Sequence, residues 1–263
     1  MKAEFLAKNQ SFEEALDVVE EIKLIYDASL HSKTIADEYS LDHAGNTISL
    51  SALWLYHLDR PEEALVVCNI VIDTILAEYN EKDLLNLTLL LLPIIKVLIM
   101  TEGSLGAKRA RELYNKHVNK PGGSANGFFK PVMRPLMILL TCCSYEYGDS
   151  GGCSIQRYDG IDDDIAWVLN GEEKINEWGD TVFIQTINWS PSCILSEACL
   201  YLAKFLGSGG GEEKQRALLD EGIRVAKVAE AKMKDSEGNI MLPIAYSSHA
   251  MVFSELNSLS VPV

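Results

Sequence analysis

Aspartates and cysteines are the side chains in this sequence whose types suit metal binding. Asp162, Asp163 and Asp164 stand in a row, and the chain has six cysteines. Consecutive residues of a helix point about 100° apart, so the aspartate run does not converge on one ion. The cysteines lack the spacing of a structural zinc site. We therefore predict that the aspartates begin a helix, that the cysteines are reduced core residues, and that no cofactor is bound.

Ser150 is the candidate nucleophile. The residues Gly-Asp-Ser-Gly-Gly at 148–152 match the segment around the reactive serine of chymotrypsin-like serine proteases. Those enzymes also need a histidine and an aspartate positioned by two β-barrels, and strand-forming patterns are scarce in this chain. We therefore predict a loop at this position and a protein without enzymatic activity. An α-helical enzyme that uses Ser150 or the aspartate run is the second alternative.

The composition indicates a folded, acidic protein. The chain has 263 residues, is 48% hydrophobic and 23% charged, and carries a formal net charge of −15. These fractions are typical of globular proteins, and the negative charge disfavours binding to nucleic acid or to anionic membranes. The amino-terminal residues lack the apolar run of a secretory signal, so we expect a cytoplasmic protein.

The most apolar stretch, residues 84–100, is predicted to be a buried core helix. It is only 17 residues long and contains Asn86, Thr88, Pro93 and Lys96. A membrane span needs about 20 apolar residues, so the stretch is both too short and too polar. No contact with a membrane is predicted.

A recurring pattern of helix starts organises the chain. Each copy has a turn, then charged residues, an alanine, and apolar residues three or four positions apart. The alanines are Ala15, Ala64, Ala110, Ala166 and Ala217, at intervals of 49, 46, 56 and 51 residues. Each interval accommodates two helices and their turns, as in helical solenoids. The sequence therefore predicts alternating A and B helices in a single domain that covers residues 1–263.

The two clearest copies begin at residues 10–16 and 59–65. In the first, Glu14 follows Ser11 by three positions, and in the second Glu62 follows Asp59 in the same way. This spacing predicts a capping box at each helix start, with Pro61 in the first turn of the second helix. The only segment rich in strand-forming residues, 181–184, is interpreted as the end of a long B helix.

The second copy resembles the tetratricopeptide repeat. Ala52 matches the small residue of helix A in that family, and Ala64 matches the small residue of helix B. Leu55 and Tyr56 match the apolar or aromatic pair of helix A. The family's turn glycine is replaced by Asp59, and the intervals exceed the family's usual length of about 34 residues.

This resemblance covers residues 5–118, and beyond them only the periodicity continues. It implies an all-α, right-handed α-α superhelix of about five helical pairs, similar to the extended repeats found beside STAND-class signalling ATPases. The implied function is non-enzymatic binding of a protein or peptide in a concave groove, as a scaffold or sensor region. The implied groove residues are Asn46, Ser49, Leu53, Tyr56, His57, Met137, Thr141 and Tyr145. The acidic charge favours a partner with basic patches.

Several alternatives stay open at this point. Leu53 and Met137 are equally well explained as core residues. A repeat domain that senses a small molecule, within a signalling ATPase or transcription regulator, is the first functional alternative. Residues 243–256 have the pattern of a helix A without a following helix B, so we expect a piece of a longer protein or a stack on another molecule. The sequence does not predict the oligomeric state.

Overall fold

The computed structural model of the chain describes residues 2–9, 11–39, 41–79, 83–117, 130–146, 160–170, 191–207 and 211–235. These residues form ten α-helices, one π-helical turn and one 3-10 turn, without a β-strand, which confirms the predicted all-α class for this part of the chain. The predictions for Ser150, for residues 181–184 and for residues 243–256 lie outside the described residues. The chain divides into two compact units, residues 1–124 and 125–263. One repeat domain that runs through both stays a prediction.

The first unit is built around a central helix, α4. Its helices are α1 (Lys2–Lys8), α2 (Phe12–Ile25), α3 (Ala28–Tyr39), α4 (His43–His57), α5 (Pro61–Ile70) and α6 (Leu84–His117). A π-helical turn (Val71–Ile75) and a 3-10 turn (Leu76–Glu78) continue the chain after α5. Helix α4 packs against α2, α5 and α6, and every residue from 47 to 55 is buried. A helical segment that is buried on all sides is typical of a core helix.

Helices α2 and α5 begin near the predicted positions, but both predicted capping boxes are wrong. Ser11 is the N-cap of α2, yet its side chain makes no capping hydrogen bond. The N-cap of α5 is Arg60, which also makes none, and Pro61 occupies the first turn as predicted. Asp59 precedes the cap with a φ of 59°, the left-handed conformation in which glycine is favoured. A residue in this conformation does not have the extended backbone of an N-cap.

Helix α3 is absent from the predictions. Ser32 is its one buried residue, so its sequence carries no apolar stripe that would indicate a helix. The helix packs against α4 and against the turns that follow α5. The interval between the first two repeat copies therefore holds three helices, and the prediction of two is wrong there.

The predicted core segment 84–100 lies in the first part of α6. Gly103, with φ 56° and ψ −125°, divides α6 into two helical pieces. Gly106 is buried in the second piece, and a Cβ there would overlap the carbonyl oxygen of Leu98 in the first. Residues 85–117 are long and apolar enough to cross a membrane by length and composition, and 72% of their most apolar window is buried within the protein. This burial agrees with the predicted core helix.

The second unit has a core formed by three packed helices and a shorter fourth helix among its described residues. They are α7 (Lys130–Glu146), α8 (Ile161–Asn170), α9 (Pro191–Gly207) and α10 (Glu212–Asp235). Helix α9 packs against both α7 and α10, and α8 contacts α9 and α10. Buried aliphatic residues and cysteines of α7 and α9 form the core. The helix starts predicted at Ile161 and Glu212 are confirmed.

Candidate functional site

Five of the predicted groove residues lie on α4, and three of them retain exposed surface. Ser49 is fully buried, and its hydroxyl donates a hydrogen bond to the Leu90 carbonyl of α6 at 2.7 Å. Leu53 is also buried, in agreement with the alternative that it is a core residue. Neither side chain is accessible to a partner in this conformation, because both lie in the packed interior around α4. Asn46, Tyr56 and His57 are half-buried.

Aromatic rings cluster at the carboxyl end of α4. His57 stacks on Phe12 of α2 with ring centroids 6.2 Å apart, and Tyr56 meets His57 edge to face at 6.0 Å. Burial, together with the positive charge of Lys96, lowers the pKa of His57 to about 4. His57 is therefore neutral at pH 7, and the cluster presents uncharged rings with part of their surface exposed.

The other three predicted groove residues lie on α7, in the second unit. Met137 is half-buried. Thr141 is buried, and its hydroxyl donates to the Met137 carbonyl at 2.8 Å within the same helix. The side chain of Tyr145 lies outside the described residues. Only Met137 among these three is known to have accessible surface.

A surface pocket of about 520 Å³ lies in the first unit, where α2 and α3 meet the turns that follow α5. Its volume falls in the range of about 300–1,000 Å³ that is usual for ligand sites. Ile48, Ile70 and Ile75 contribute apolar walls. The π-helical turn supplies part of the lining, and such turns occur frequently at functional sites. We call this feature the acidic pocket because carboxylates predominate among its charged lining residues.

The charged residues that line the acidic pocket are three carboxylates and one ammonium group, Asp27, Asp73, Glu78 and Lys23. The Lys23 ammonium already lies 2.7 Å from Glu20 Oε1. Hydrogen bonds from the Ser29 hydroxyl and amide lower the pKa of Asp27, which keeps it ionised. Within the described chain, the carboxylates of Asp73 and Glu78 make no ion pair or side-chain hydrogen bond. The pocket is therefore negatively charged, and the carboxylates of Asp73 and Glu78 can accept hydrogen bonds from a ligand.

Tyr26 connects the acidic pocket to a buried carboxylate. Asp42, the N-cap of α4, is 1% exposed and accepts hydrogen bonds from the hydroxyls of Tyr26 at 2.5 Å and Tyr79 at 2.8 Å. It also accepts from the Gly45 amide at 2.9 Å, and its own amide donates to Asn86 Oδ1 at 2.9 Å. Burial and the Asp42 carboxylate raise the pKa of both tyrosines, so they stay protonated donors. This network joins the end of α2 to the starts of α4 and α6, next to the pocket wall.

The aspartate run occupies the first turn of α8, as predicted. Asp162 Oδ1 lies 3.4 Å from Lys214 Nζ, and Asp164 Oδ1 lies 3.7 Å from Arg134 Nη2. These aspartates therefore pair with basic side chains of α7 and α10. In the part of the chain that the structure describes, no group of three His, Cys, Asp or Glu side chains is arranged to hold a metal ion.

The cysteines that the structure describes are reduced thiols buried in the core, in agreement with the prediction. They are Cys68, Cys142, Cys143, Cys193 and Cys199. Burial raises the pKa of the Cys68 thiol to about 12. A thiol of that pKa is protonated at pH 7 and is a poor nucleophile.

The acidic pocket was not predicted, because its lining comes from separate segments of α2, α3, α4 and the turns after α5. One local signal was present. Asp27 stands two residues before Ser29, which is the spacing of an aspartate that accepts hydrogen bonds at a helix start. This Asp-x-Ser spacing indicates the beginning of α3, which forms one wall of the pocket.

Comparison with known proteins finds no family model, curated protein or solved structure that matches this chain. The likeness to tetratricopeptide repeats therefore depends on the residues quoted above, and what it implies about function enters as a proposal.

Proposed function

We propose that this protein is a non-enzymatic helical-repeat module that binds a protein or peptide, as a scaffold or as the sensor region of a signalling protein. The observation that carries the proposal is the aromatic cluster of Tyr56 and His57, which leaves partly exposed rings at the end of the central helix. Sequential packing of α1 with α2 and of α4 with α5 supports the tetratricopeptide-like pairing of helices, and a right-handed superhelix is part of the proposal. The proposal includes a cytoplasmic location.

The partly exposed side chains of α4 suit a protein partner. Tyrosine and other aromatic side chains dominate binding energy at interfaces because they bury a large area and lose little conformational freedom. Asn46 lies on the same helix and is half-buried, so part of its side chain is accessible to a partner. The net charge of −15 favours a partner with basic patches.

The test compares two tyrosine variants in capture of partners from a native cell extract. Tyr56→Ala removes a half-buried ring of the aromatic cluster, whereas Tyr39→Ala removes a ring that is 60% exposed on α3. We expect a discrete partner whose capture falls about tenfold with Tyr56→Ala, in line with the loss of an aromatic interface residue. Tyr39→Ala should leave capture unchanged, and circular dichroism should give equal helicity for both variants. Equal capture by wild type and Tyr56→Ala contradicts the proposal.

A small-molecule sensor is the second candidate function, because the acidic pocket has the volume of a ligand site. In that case a metabolite would raise the melting temperature of the isolated protein, since it binds only the folded chain. A thermal-shift screen with organic cations and neutral metabolites tests this candidate. The absence of any shift, together with a Tyr56-dependent protein partner, favours the first candidate.

A further inference from the structure

We propose that the acidic pocket receives an arginine or lysine side chain from a partner polypeptide, with apolar residues of the partner on either side. This inference rests on the proposed function and names the segment of the partner that the first unit recognises. Four properties of the pocket support this inference. They are its negative charge, its apolar walls, the exposed aliphatic residues next to it and the rigid wall at Tyr26.

The charge of the pocket selects a cation. Asp27, Asp73 and Glu78 outnumber Lys23, and the ammonium of Lys23 is already paired with Glu20. Since Asp73 and Glu78 lack other partners within the described chain, their carboxylates can accept hydrogen bonds from a guanidinium or ammonium group. Such charge-assisted hydrogen bonds are about twice as strong as neutral ones.

The walls of the pocket suit the stem of a long basic side chain. Ile48 and Ile75 are each 2% exposed and form apolar surfaces, and Ile70 is partly exposed at the same pocket. Lysine and arginine bury their methylene groups against apolar surfaces while the charged head reaches polar atoms. A compact inorganic cation has no apolar stem, so it would gain no binding energy from contact with these isoleucines.

Exposed aliphatic residues stand next to the pocket lining in the sequence. Leu24 is 86% exposed, Ile25 is 77% exposed and Leu30 is 67% exposed, and each is adjacent in the sequence to a residue that lines the pocket. Neighbouring exposed aliphatic side chains are typical of an interaction surface. They favour a polypeptide occupant with apolar residues beside its basic residue over a free amine.

Tyr26 makes the wall rigid before a partner arrives. Its hydroxyl donates to the buried Asp42 carboxylate at 2.5 Å, so the ring is held in one orientation. A wall that is already ordered loses little conformational freedom on binding, and this increases affinity.

The experiment titrates the peptide acetyl-Leu-Arg-Leu-amide into the isotope-labelled full chain and follows backbone amide signals by NMR. We expect shifts at residues 27–29 and 73–78. Asp73→Asn with Glu78→Gln should weaken binding about tenfold, because two charge-assisted contacts are lost. The matched control, Glu213→Gln with Asp220→Asn, removes the same charge from exposed positions on α10 and should change affinity by less than about twofold.

Four results would overturn the inference. They are equal weakening by both double variants, equal binding of a peptide with neutral citrulline in place of arginine, equal binding of free agmatine, and no shifts at about 5 mM peptide.

None of these results affects the proposed function, whose test depends on Tyr56 and on a captured partner. If the Tyr56-dependent partner is found and the peptide fails, the proposed function stands and the pocket inference falls. If the peptide binds the pocket and no Tyr56-dependent partner exists, the proposed binding groove on α4 is wrong.

Discussion

At the scale of single residues, Asp42 combines two structural roles. Its carboxylate caps the amino end of α4 through the Gly45 amide and accepts hydrogen bonds from two tyrosine hydroxyls. A buried carboxylate is costly unless hydrogen bonds replace its lost water, and here three donors do so. The first unit therefore depends on Asp42 for the position of α4 and for the orientation of the pocket wall at Tyr26.

We predict that Tyr79→Phe lowers the free energy of unfolding by about 1–2 kcal/mol, because the Asp42 carboxylate loses one of its donors. Asp42→Ala should cost about 3 kcal/mol, since it removes the helix cap and the acceptor of the Tyr26 hydroxyl, and leaves the Tyr79 hydroxyl only the Ser32 carbonyl. Urea denaturation at pH 7 measures both values. Tyr39→Phe is the control, because that side chain is exposed on α3. Equal stability of the Tyr79 and Tyr39 variants would contradict the role of the network.

His57 predicts a specific dependence of stability on pH. Burial and the charge of Lys96 lower its pKa from 6.5 to about 4 in the folded protein. Between these two values the unfolded chain binds more protons than the folded chain, so stability is complete above about pH 6.5 and falls as the pH drops towards 4. The loss should reach about 2–3 kcal/mol near pH 4.

The measurement compares urea denaturation of wild type and His57→Phe at pH 7.5 and at pH 4.5. The phenylalanine ring can keep the stacking on Phe12 but does not titrate. The variant should therefore lose less stability on acidification than the wild type does. Identical pH dependence in the two proteins would show that His57 does not remain neutral in the folded state.

At the scale of elements, the turn between α4 and α5 stores backbone strain at Asp59. Its φ of 59° is unfavourable for residues with a side chain and is easy for glycine. Asp59→Gly should raise the free energy of unfolding by about 0.5 kcal/mol, because relief of strain exceeds the extra entropy of the unfolded chain. Asp59→Ala should lower it by about 0.5–1 kcal/mol. Thermal unfolding that places the alanine variant at or above the glycine variant would contradict this account.

The two pieces of α6 approach each other closely at Gly106. A Cβ at this position would overlap the backbone carbonyl of Leu98, and a backbone group cannot swing aside as a flexible side chain does. Gly106→Ala should therefore destabilise the protein by at least about 2 kcal/mol. Lys108→Ala, at an exposed position two residues later, should change stability by less than about 0.5 kcal/mol in the same denaturation experiment. Equal effects of the two substitutions would mean that the helical pieces do not pack this tightly.

The sequence predicts the elements that have an apolar face and misses those that do not. Helices α4, α9 and α10 follow the spacing of their buried residues, whereas α3 buries only Ser32 and gives no periodic signal. The capping prediction at Asp59 fails because its backbone is left-handed, whereas Ser11 is the N-cap of α2 but its side chain makes no capping hydrogen bond. On α4, spacing alone does not distinguish the buried Ser49 and Leu53 from the half-buried Tyr56. The acidic pocket combines distant segments, so it becomes visible only in three dimensions.

At the scale of the whole molecule, each compact unit has a core made from its own helices. In the first unit, α4 is surrounded by α2, α5 and α6, all from the same unit. We predict that residues 1–124 expressed alone fold cooperatively, with a helical circular dichroism spectrum and a single urea transition. Asp42→Ala in this fragment should lower the midpoint, as in the full chain. A fragment without a cooperative transition would show that its core needs the rest of the chain.

The π-helical turn has a consequence for how the acidic pocket can arise or disappear between related sequences. Such a turn corresponds to one additional residue accommodated within a helix. Deleting a single residue from Val71–Ile75 would restore regular α-helical hydrogen bonds and rotate the following residues by about 100°. Glu78 and Ala77 would then leave the pocket lining, while α4 and its aromatic cluster would keep their sequence. The same rotation would also move Tyr79 away from Asp42, so the loss of one codon would change the pocket and the buried hydrogen-bond network together.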